Sequence, residues 1–518
     1  MHSTYDMDYN IPIMNREKIT NIIKPDKPHS KYLLYLLILS LLYVFPIILA
    51  DRYYNDDLSR SLLGASEWNG DGRPLTELIM LLINFGRPLA DISPLPLMMS
   101  TVLLSYSITQ YIKHNHLLKT DKKDCFLLLY AGFLVIANPF LIPDLSYKFD
   151  CLTMVLSICL PFLAYSVTLN NTVAGILFNL CVVLAVLCLF QPSLGLYVSL
   201  FLLELFFIVL NKNTEEPVYK KTFISRIVGG LTGVIIYVTT IAPVFVDKMG
   251  WRAKASSISF SLTVISLKLS GIFSTIKRYT SGIPKSALLP FILLFLISWI
   301  SLILYVSRFD LSSHKRFFFT VYVALLPALL FFSSVSPLLF LEKAQMSDHV
   351  LTGLCAVLPF VFGIAALYTQ TTCKKLVIIL IIPCIIFNYS YIYAYGSALR
   401  SQKEYETFII QDIAEDIQEA DLHKECTLIG VSDKMPKSRQ LQTLCNKYPQ
   451  FNAIVPVYMY DENWIGTSYL NHYLQQQLMF EELDDKDYSF VEKNRPFSSN
   501  SIYSLYKKND KILLFFNP

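Results

Sequence analysis

Two adjacent carboxylates, Asp56 and Asp57, follow the first long apolar run of the chain, and Arg60 comes one helical turn later. They lie in Ala50–Pro74, ADRYYNDDLSRSLLGASEWNGDGRP, which also holds Asp51, Glu67, Asp71, Arg52 and Arg73. A carboxylate within hydrogen-bond reach of a hydroxyl can act as its general base. Arg and Lys hold and neutralise phosphate, Arg through a bidentate fork. Acids and bases collected beside an apolar run therefore suit transfer of a group from a lipid-linked phosphate to a hydroxyl. Either Asp56 or Asp57 can be the base. Further candidates are Lys148 and Asp150 in PDLSYKFD, Gln191 in the Gln191-Pro192-Ser193 break, and Lys343, Asp348 and His349. Tyr53, Tyr54, Trp68 and Tyr147 are placed to stack on sugar faces.

Each candidate also has a plainer use. Asp150 opens an apolar run, where an acid complements the helix dipole. Lys148 can snorkel at a membrane interface. Tyr and Trp near the ends of apolar runs form interfacial belts. His349 reads as a surface histidine. Gln191-Pro192-Ser193 can simply separate two helices, although a buried amide at a span end must find partners.

The elements that hold these residues are apolar. Of 518 residues, 53% are hydrophobic and 16% charged, against about 25% charged in soluble domains. The apolar runs are roughly 18–22 residues long, the length that crosses about 30 Å of hydrocarbon. A net charge of +4 does not point to nucleic acid. Most of the ten cysteines lie inside apolar runs, without C-x-x-C or metal-site spacing.

Residues 1–31 are basic and expected in the cytoplasm. No cleavable leader is expected, because the first apolar run begins after Lys31 and is full length. Eleven spans are expected: Tyr32–Ala50, Ile92–Ile112, Cys125–Ile142, Cys151–Leu169, Val173–Phe190, Leu194–Leu210, Ile227–Val246, Ala287–Val306, Phe317–Ser334, Leu351–Thr369 and Leu376–Tyr395. Most inner loops then carry Lys/Arg clusters, and the acids collect outside. Residues 75–86 are too short to span, and 255–274 are weakly apolar and Ser-rich; both read as interfacial helices. Counting 255–274 as a span would invert everything after it.

Residues 396–518 differ in kind. KEYETFIIQDIAEDIQEA is an amphipathic helix, CTLIGV a buried strand, NWIGTSYLNHYLQQQLMFEEL a second helix and SIYSLYKKNDKILLFFN a hairpin. The fold class is thus an α-helical polytopic membrane protein of about eleven transmembrane helices (32–395) with a small periplasmic α+β domain (396–518). Cys426 and Cys445 in that domain are either a disulfide or two buried thiols.

Taken together, NDDLSR at Asn55–Arg60, GRPL at Gly72–Leu75, NPFLIPDLSYKFD at Asn138–Asp150 and FQPS at Phe190–Ser193 resemble the serotype-converting O-antigen glucosyltransferases, the glucosyltransferase type II family of the GT-C class. The likeness covers the order of spans from about 32 to 395. It implies a bacterial inner-membrane enzyme with periplasmic active site and C-terminus, acting on lipopolysaccharide. The implied donor is undecaprenyl-phosphate-glucose and the acceptor an O-antigen hydroxyl, with inversion at the anomeric carbon. A flippase and a donor-synthesising glucosyltransferase are the implied functional partners. The resemblance makes Asp56 or Asp57 the base, sets Arg60, Arg73 or Lys148 against the donor phosphate, and makes Asp150 a second acid of the site. Trp68, Tyr147 and Gln191 would meet substrate. Some enzymes of the class bind a divalent cation; no ligand cluster in this chain demands one.

Two other readings stand beside it. An O-antigen polymerase or ligase typically places key basic residues in a large central outer loop, whereas here the acids gather in the first. A flippase or transporter should carry charges deep inside its spans or broken helices at mid-bilayer, and the expected spans have almost none.

Overall fold

The computed structural model describes residues 26–118, 121–210, 216–246, 261–341, 348–354, 363, 365–369, 371–422, 426–459, 464–474 and 477–517. The first span is helix α1 (Lys27–Ala50), capped by Asp26, which accepts the His29 N–H and satisfies a first-turn donor. It ends at Asp51, in the left-handed region with φ 43°. The chain then forms two short helices on the face where α1 ends, α2 (Asp57–Leu63) and α3 (Pro74–Ile83). Helix α3 buries Thr76, Glu77 and Met80 and exposes Leu78 and Leu82, with Phe85 exposed just beyond it. That spacing suits a helix lying along an apolar boundary.

Helices α4 (Leu95–His114), α5 (Lys122–Ile136), α6 (Ile142–Ser146), α7 (Cys151–Ala164), α8 (Thr172–Leu189), α9 (Leu194–Leu210) and α10 (Glu216–Ile236) follow. Helix α10 continues into a π-helical segment, Tyr237–Ile241. Then come α11 (Leu262–Ser281), α12 (Lys285–Ser307), α13 (Ser313–Leu339) and α14 (Thr371–Glu419). Among the described residues, eight helical segments are long and apolar enough to cross a membrane. The chain is a mostly helical, polytopic membrane protein.

Two more expected spans are helices with less apolar length. Helix α4 carries Ser100, Thr101, Ser105, Ser107, Thr109 and Gln110. Ser100 and Thr109 donate to carbonyls four residues back at 2.7 Å, so these hydroxyls are satisfied within the helix. Helix α7 has only 14 residues. Of the span expected at 351–369, residues 355–362 and 364 lie outside the described residues. The 255–274 segment is described from residue 261 onward, and α11 is not among the eight.

The last span does not stop at Tyr395. Helix α14 has 49 residues, about 74 Å at 1.5 Å per residue. Its extension, KEYETFIIQDIAEDIQE, contains no Gly or Pro to break the helix. Gly396 lets α14 cross α1, since a Cβ there would stand 2.6 Å from the Pro46 carbonyl oxygen.

Beyond α14, five strands pair in the order β2-β1-β5-β4-β3: β1 (Leu428–Ser432), β2 (Met479–Phe480), β3 (Ser498–Ser499), β4 (Tyr503–Lys508) and β5 (Lys511–Phe516). Strands β4 and β5 are antiparallel, joined by Asn509-Asp510, while β1 lies parallel to β5 and β2. Ile429, Val431, Ile512, Leu513 and Leu514 form the buried centre. The helix expected from Asn463 to Leu483 is shorter: Trp464–Leu474 is helical and Met479–Phe480 is a strand. Asn471 sets the exchange, its Oδ1 accepting the Leu478 N–H at 2.9 Å and its Nδ2 donating to the Leu478 carbonyl at 3.0 Å. Cys426 and Cys445 are both buried and are not joined to each other.

A buried ion pair ties this C-terminal part to the end of α1. Arg52 Nη2 lies 2.6 Å from Glu406 Oε2, both side chains 2% exposed. Arg52 also donates to the carbonyls of Leu399 at 3.3 Å and Pro456 at 2.6 Å. Glu406 accepts from Gln402 Nε2 at 3.1 Å and from the Tyr458 N–H at 3.3 Å. Arg52→Met strands the Glu406 carboxylate and is expected to cost about 3–5 kcal/mol. Thermal unfolding in detergent checks this, and Arg52→Met/Glu406→Met should recover part of the loss.

Candidate functional site

The sequence reading leaves Asp56 and Asp57 equivalent; their surroundings are not. Asn55, at φ 51°, turns the chain into α2. Asp57 is 0% exposed. Its Oδ2 accepts the N–H groups of Tyr54 at 3.0 Å and Lys148 at 2.8 Å, and its Oδ1 that of Phe149 at 3.3 Å. Burial pushes the Asp57 carboxyl well above the ordinary carboxylate range and the Asp56 charge adds to this, while the backbone donors oppose it. Asp57 is thus enclosed and fastens the loop after α1 to residues 148–149.

Asp56 faces outward, its side chain 33% exposed, with Oδ2 2.6 Å from Arg60 Nη2. Arg60 lies over the Trp68 ring at 4.2 Å, donates Nη1 to the Ser66 carbonyl at 3.0 Å, and places Nε 3.7 Å from Asp150 Oδ2. Asp150 Oδ1 accepts Trp68 Nε1–H at 2.7 Å and lies 3.5 Å from Arg73 Nη1. Arg73 in turn covers the Phe190 ring at 4.7 Å. The four charges therefore alternate in a row: Asp56, Arg60, Asp150, Arg73. Burial raises the Asp150 carboxyl above its ordinary value, and Arg60 opposes the rise. Burial works to lower the Arg60 pKa, but Asp150 and Asp56 outweigh it and keep the guanidinium charged. Arg60 Nε and Arg73 Nε are buried without a hydrogen bond among the described residues. Donors left open in this way suit an anion.

The supports of this row are local. Glu77 of α3 accepts the Trp68 N–H at 2.9 Å, the Ser66 hydroxyl, and Arg87 Nη2 at 2.5 Å. Burial acts to raise the Glu77 pKa, yet these bonds hold it below the ordinary value. Gly72, at φ 72°, gives its carbonyl to the Tyr237 hydroxyl at 2.9 Å. Gln191 Nε2 donates to that hydroxyl at 2.9 Å and to the Asp71 carbonyl at 3.1 Å. Gln191 is therefore a brace between the 69–73 turn and the π-helical segment, a type of helix irregularity frequent at functional sites.

Other expected members sit apart from the row. Lys148 turns its side chain away, its Nζ 2.6 Å from Asp51, 3.1 Å from Asp91 and 4.2 Å over the Tyr53 ring. Trp68 is 0% exposed; its ring supports Arg60 rather than offering a face for stacking. Tyr147 is buried and accepts Asn55 Nδ2 at 2.6 Å. Asp348 pairs with Arg278 at 2.8 Å, and the His349 ring lies 6.4 Å from Phe190. Lys343 is outside the described residues. Sequence reasoning passed over Asp144, a fully buried carboxyl whose oxygens have no hydrogen bond among the described residues. Its signal is an acid set between Ile142-Pro143 and Leu145. Among the described residues, no group of three or more His, Cys, Asp or Glu side chains could hold a metal ion.

Apolar helices ending at a face that carries interleaved acids and arginines define a polytopic membrane protein with a polar interfacial site. The chain belongs to the glucosyltransferase GtrII family, whose model, described as Glucosyl transferase GtrII, matches residues 32–360. It is 26% identical over 484 residues to an uncharacterized 55.3 kDa protein in the gtrB 5′ region of Salmonella phage P22, covering 92% of this chain and 97% of that one. No solved structure matches the chain.

The contrast between the two carboxylates is measurable. Asp57→Asn turns an amide NH2 towards backbone N–H donors and is expected to cost roughly 1–3 kcal/mol. Asp56→Asn should leave thermal unfolding nearly unchanged. Equal melting temperatures for the two variants would contradict the assignment of Asp57 as the fastening residue.

Proposed function

We propose that this protein transfers a glucosyl group from undecaprenyl-phosphate-glucose to a hydroxyl of an O-antigen repeat unit, on the periplasmic side of the bacterial inner membrane. The observation that carries the reading is Asp56, an outward carboxylate paired with Arg60 at the head of a row that ends in Arg73. Family membership supports glucosyl transfer. The setting at the end of a membrane span supports a lipid-linked donor.

In this reading Asp56 takes the proton of the acceptor hydroxyl. The acceptor oxygen bonds to the anomeric carbon of glucose, and the bond from that carbon to the phosphate oxygen breaks. The electron pair leaves with the phosphate. Arg60 and Arg73 hold that phosphate and stabilise its growing charge through donors already in place. Asp150, shared by both arginines and by Trp68 Nε1–H, is a positioning residue. Attack opposite the leaving phosphate inverts the anomeric centre. A flippase and a donor-synthesising glucosyltransferase supply the donor on the required side.

Asp56→Asn is expected to lower transfer from purified lipid-linked glucose by about 10²–10⁴-fold, the usual worth of a general base. Membrane insertion and melting temperature should remain normal. Arg73→Gln is expected to raise the donor KM with less effect on the acceptor KM. Normal transfer by Asp56→Asn would refute the role of Asp56.

A further inference from the structure

A cavity borders Ser66, whose carbonyl also accepts from Arg60 of the charge row. It is a cleft of about 630 Å³ whose lining includes Gly64, Ser66, Glu67, Asn69, Glu77 and Arg87. That volume falls in the range of about 300–1,000 Å³ typical of small-molecule sites. Apart from the Ser66 hydroxyl, its polar side chains are planar carboxylates, an amide and a guanidinium, groups with paired donors or acceptors. Two acids against one arginine leave no excess of positive charge to attract a phosphate. Glu77 anchors the inner wall, 5% exposed and accepting from Ser66, Trp68 and Arg87. Arg87 remains 62% exposed while its Nη2 holds Glu77, which leaves other guanidinium donors open to a ligand. Gly64 keeps the wall thin: a Cβ there would stand 2.3 Å from Pro88 Cβ.

The cleft and the charge row share this wall. The Ser66 carbonyl that accepts Arg60 Nη1 at 3.0 Å belongs to a cleft residue, and the same Arg60 holds Asp56 at 2.6 Å. A chain lying in the cleft therefore passes within one arginine of the outward carboxylate.

We infer that this cleft is a binding site for a neutral, hydroxyl-rich saccharide: the acceptor chain, held beside the residue that deprotonates it. The inference rests on the proposed glucosyl transfer and adds where the acceptor is gripped. Glu67 and Asn69 hydrogen-bond successive sugar hydroxyls at the rim, and Arg87 does so at the far edge.

The test uses the full-length protein in membranes, with lipid-linked glucose as donor and O-antigen polysaccharide as acceptor. Glu67→Ala and Asn69→Ala are each expected to raise the acceptor KM roughly tenfold, the loss of about one hydrogen bond to a ligand. The donor KM and the slow hydrolysis of donor by water should stay at wild-type values. An unchanged acceptor KM overturns the inference, and so does a rise confined to the donor KM, which would mark the cleft as a lipid or donor site. Titration of purified protein with an O-antigen oligosaccharide separates this inference from the wider reading. If the wild type transfers no glucose yet binds oligosaccharide, and the variants bind it about tenfold more weakly, the cleft assignment holds and the transfer reading fails. Absence of saccharide binding by the wild type overturns the cleft assignment.

Discussion

The site depends on one enclosed carboxylate. Asp57 collects the N–H groups of Tyr54, Lys148 and Phe149, which belong to two segments far apart in the chain. That fastening, with the Lys148–Asp51 ion pair and the Asn55–Tyr147 hydrogen bond, holds the end of α1 against the start of α7. With it, Asp150 comes beside Arg60, Arg73 and Trp68. Removing a carboxyl from water is costly unless donors replace the water. The backbone supplies them here, which leaves the neighbouring Asp56 free to face outward.

The row from Asp56 to Arg73 shows why alternation matters at a membrane face. Each arginine is shielded by an aromatic ring, Trp68 or Phe190, and touches an acid. Charges close together in a low-dielectric setting interact strongly, so like charges placed side by side would force protonation changes. Alternation keeps the Arg60 guanidinium cationic in a largely buried setting. Two Nε donors of the row still lack a hydrogen bond among the described residues, and the proposed phosphate contact rests on them.

Much of this was readable from the sequence, for reasons that differ by element. The long apolar runs show directly because hydrocarbon thickness imposes their length. Helix α4 shows less clearly, since it carries polar residues such as Ser100 and Thr109, whose hydroxyls are satisfied on their own helix. Helix α14 passes its expected boundary at Tyr395 because Gly396, a stop signal in the sequence, serves instead for the close crossing with α1, and the helix runs on beyond it. Strand β2 was hidden because a two-residue strand has no period to detect. At the site, residue types and spacing pointed to Asp56, Arg60, Arg73 and Asp150. They could not say that Asp57 is enclosed, that Trp68 is a floor, or that Lys148 points to Asp51 and Asp91. Most of those facts depend on contacts between segments tens of residues apart, and local pattern does not carry them.

The unbroken helix α14 has a mechanical meaning. A flexible joint between the last span and the sheet would let the two turn independently. A continuous helix instead transmits torque. Arg52 pins that rod to the exit of α1 through Glu406, while the Tyr458 hydroxyl bonds the Tyr53 carbonyl at 2.9 Å and accepts the Asn55 N–H at 2.8 Å. Tilting the sheet would thus lever the loop that carries Asp56, and a load placed on the C-terminal part would be felt at the carboxylate through the shaft rather than through solvent.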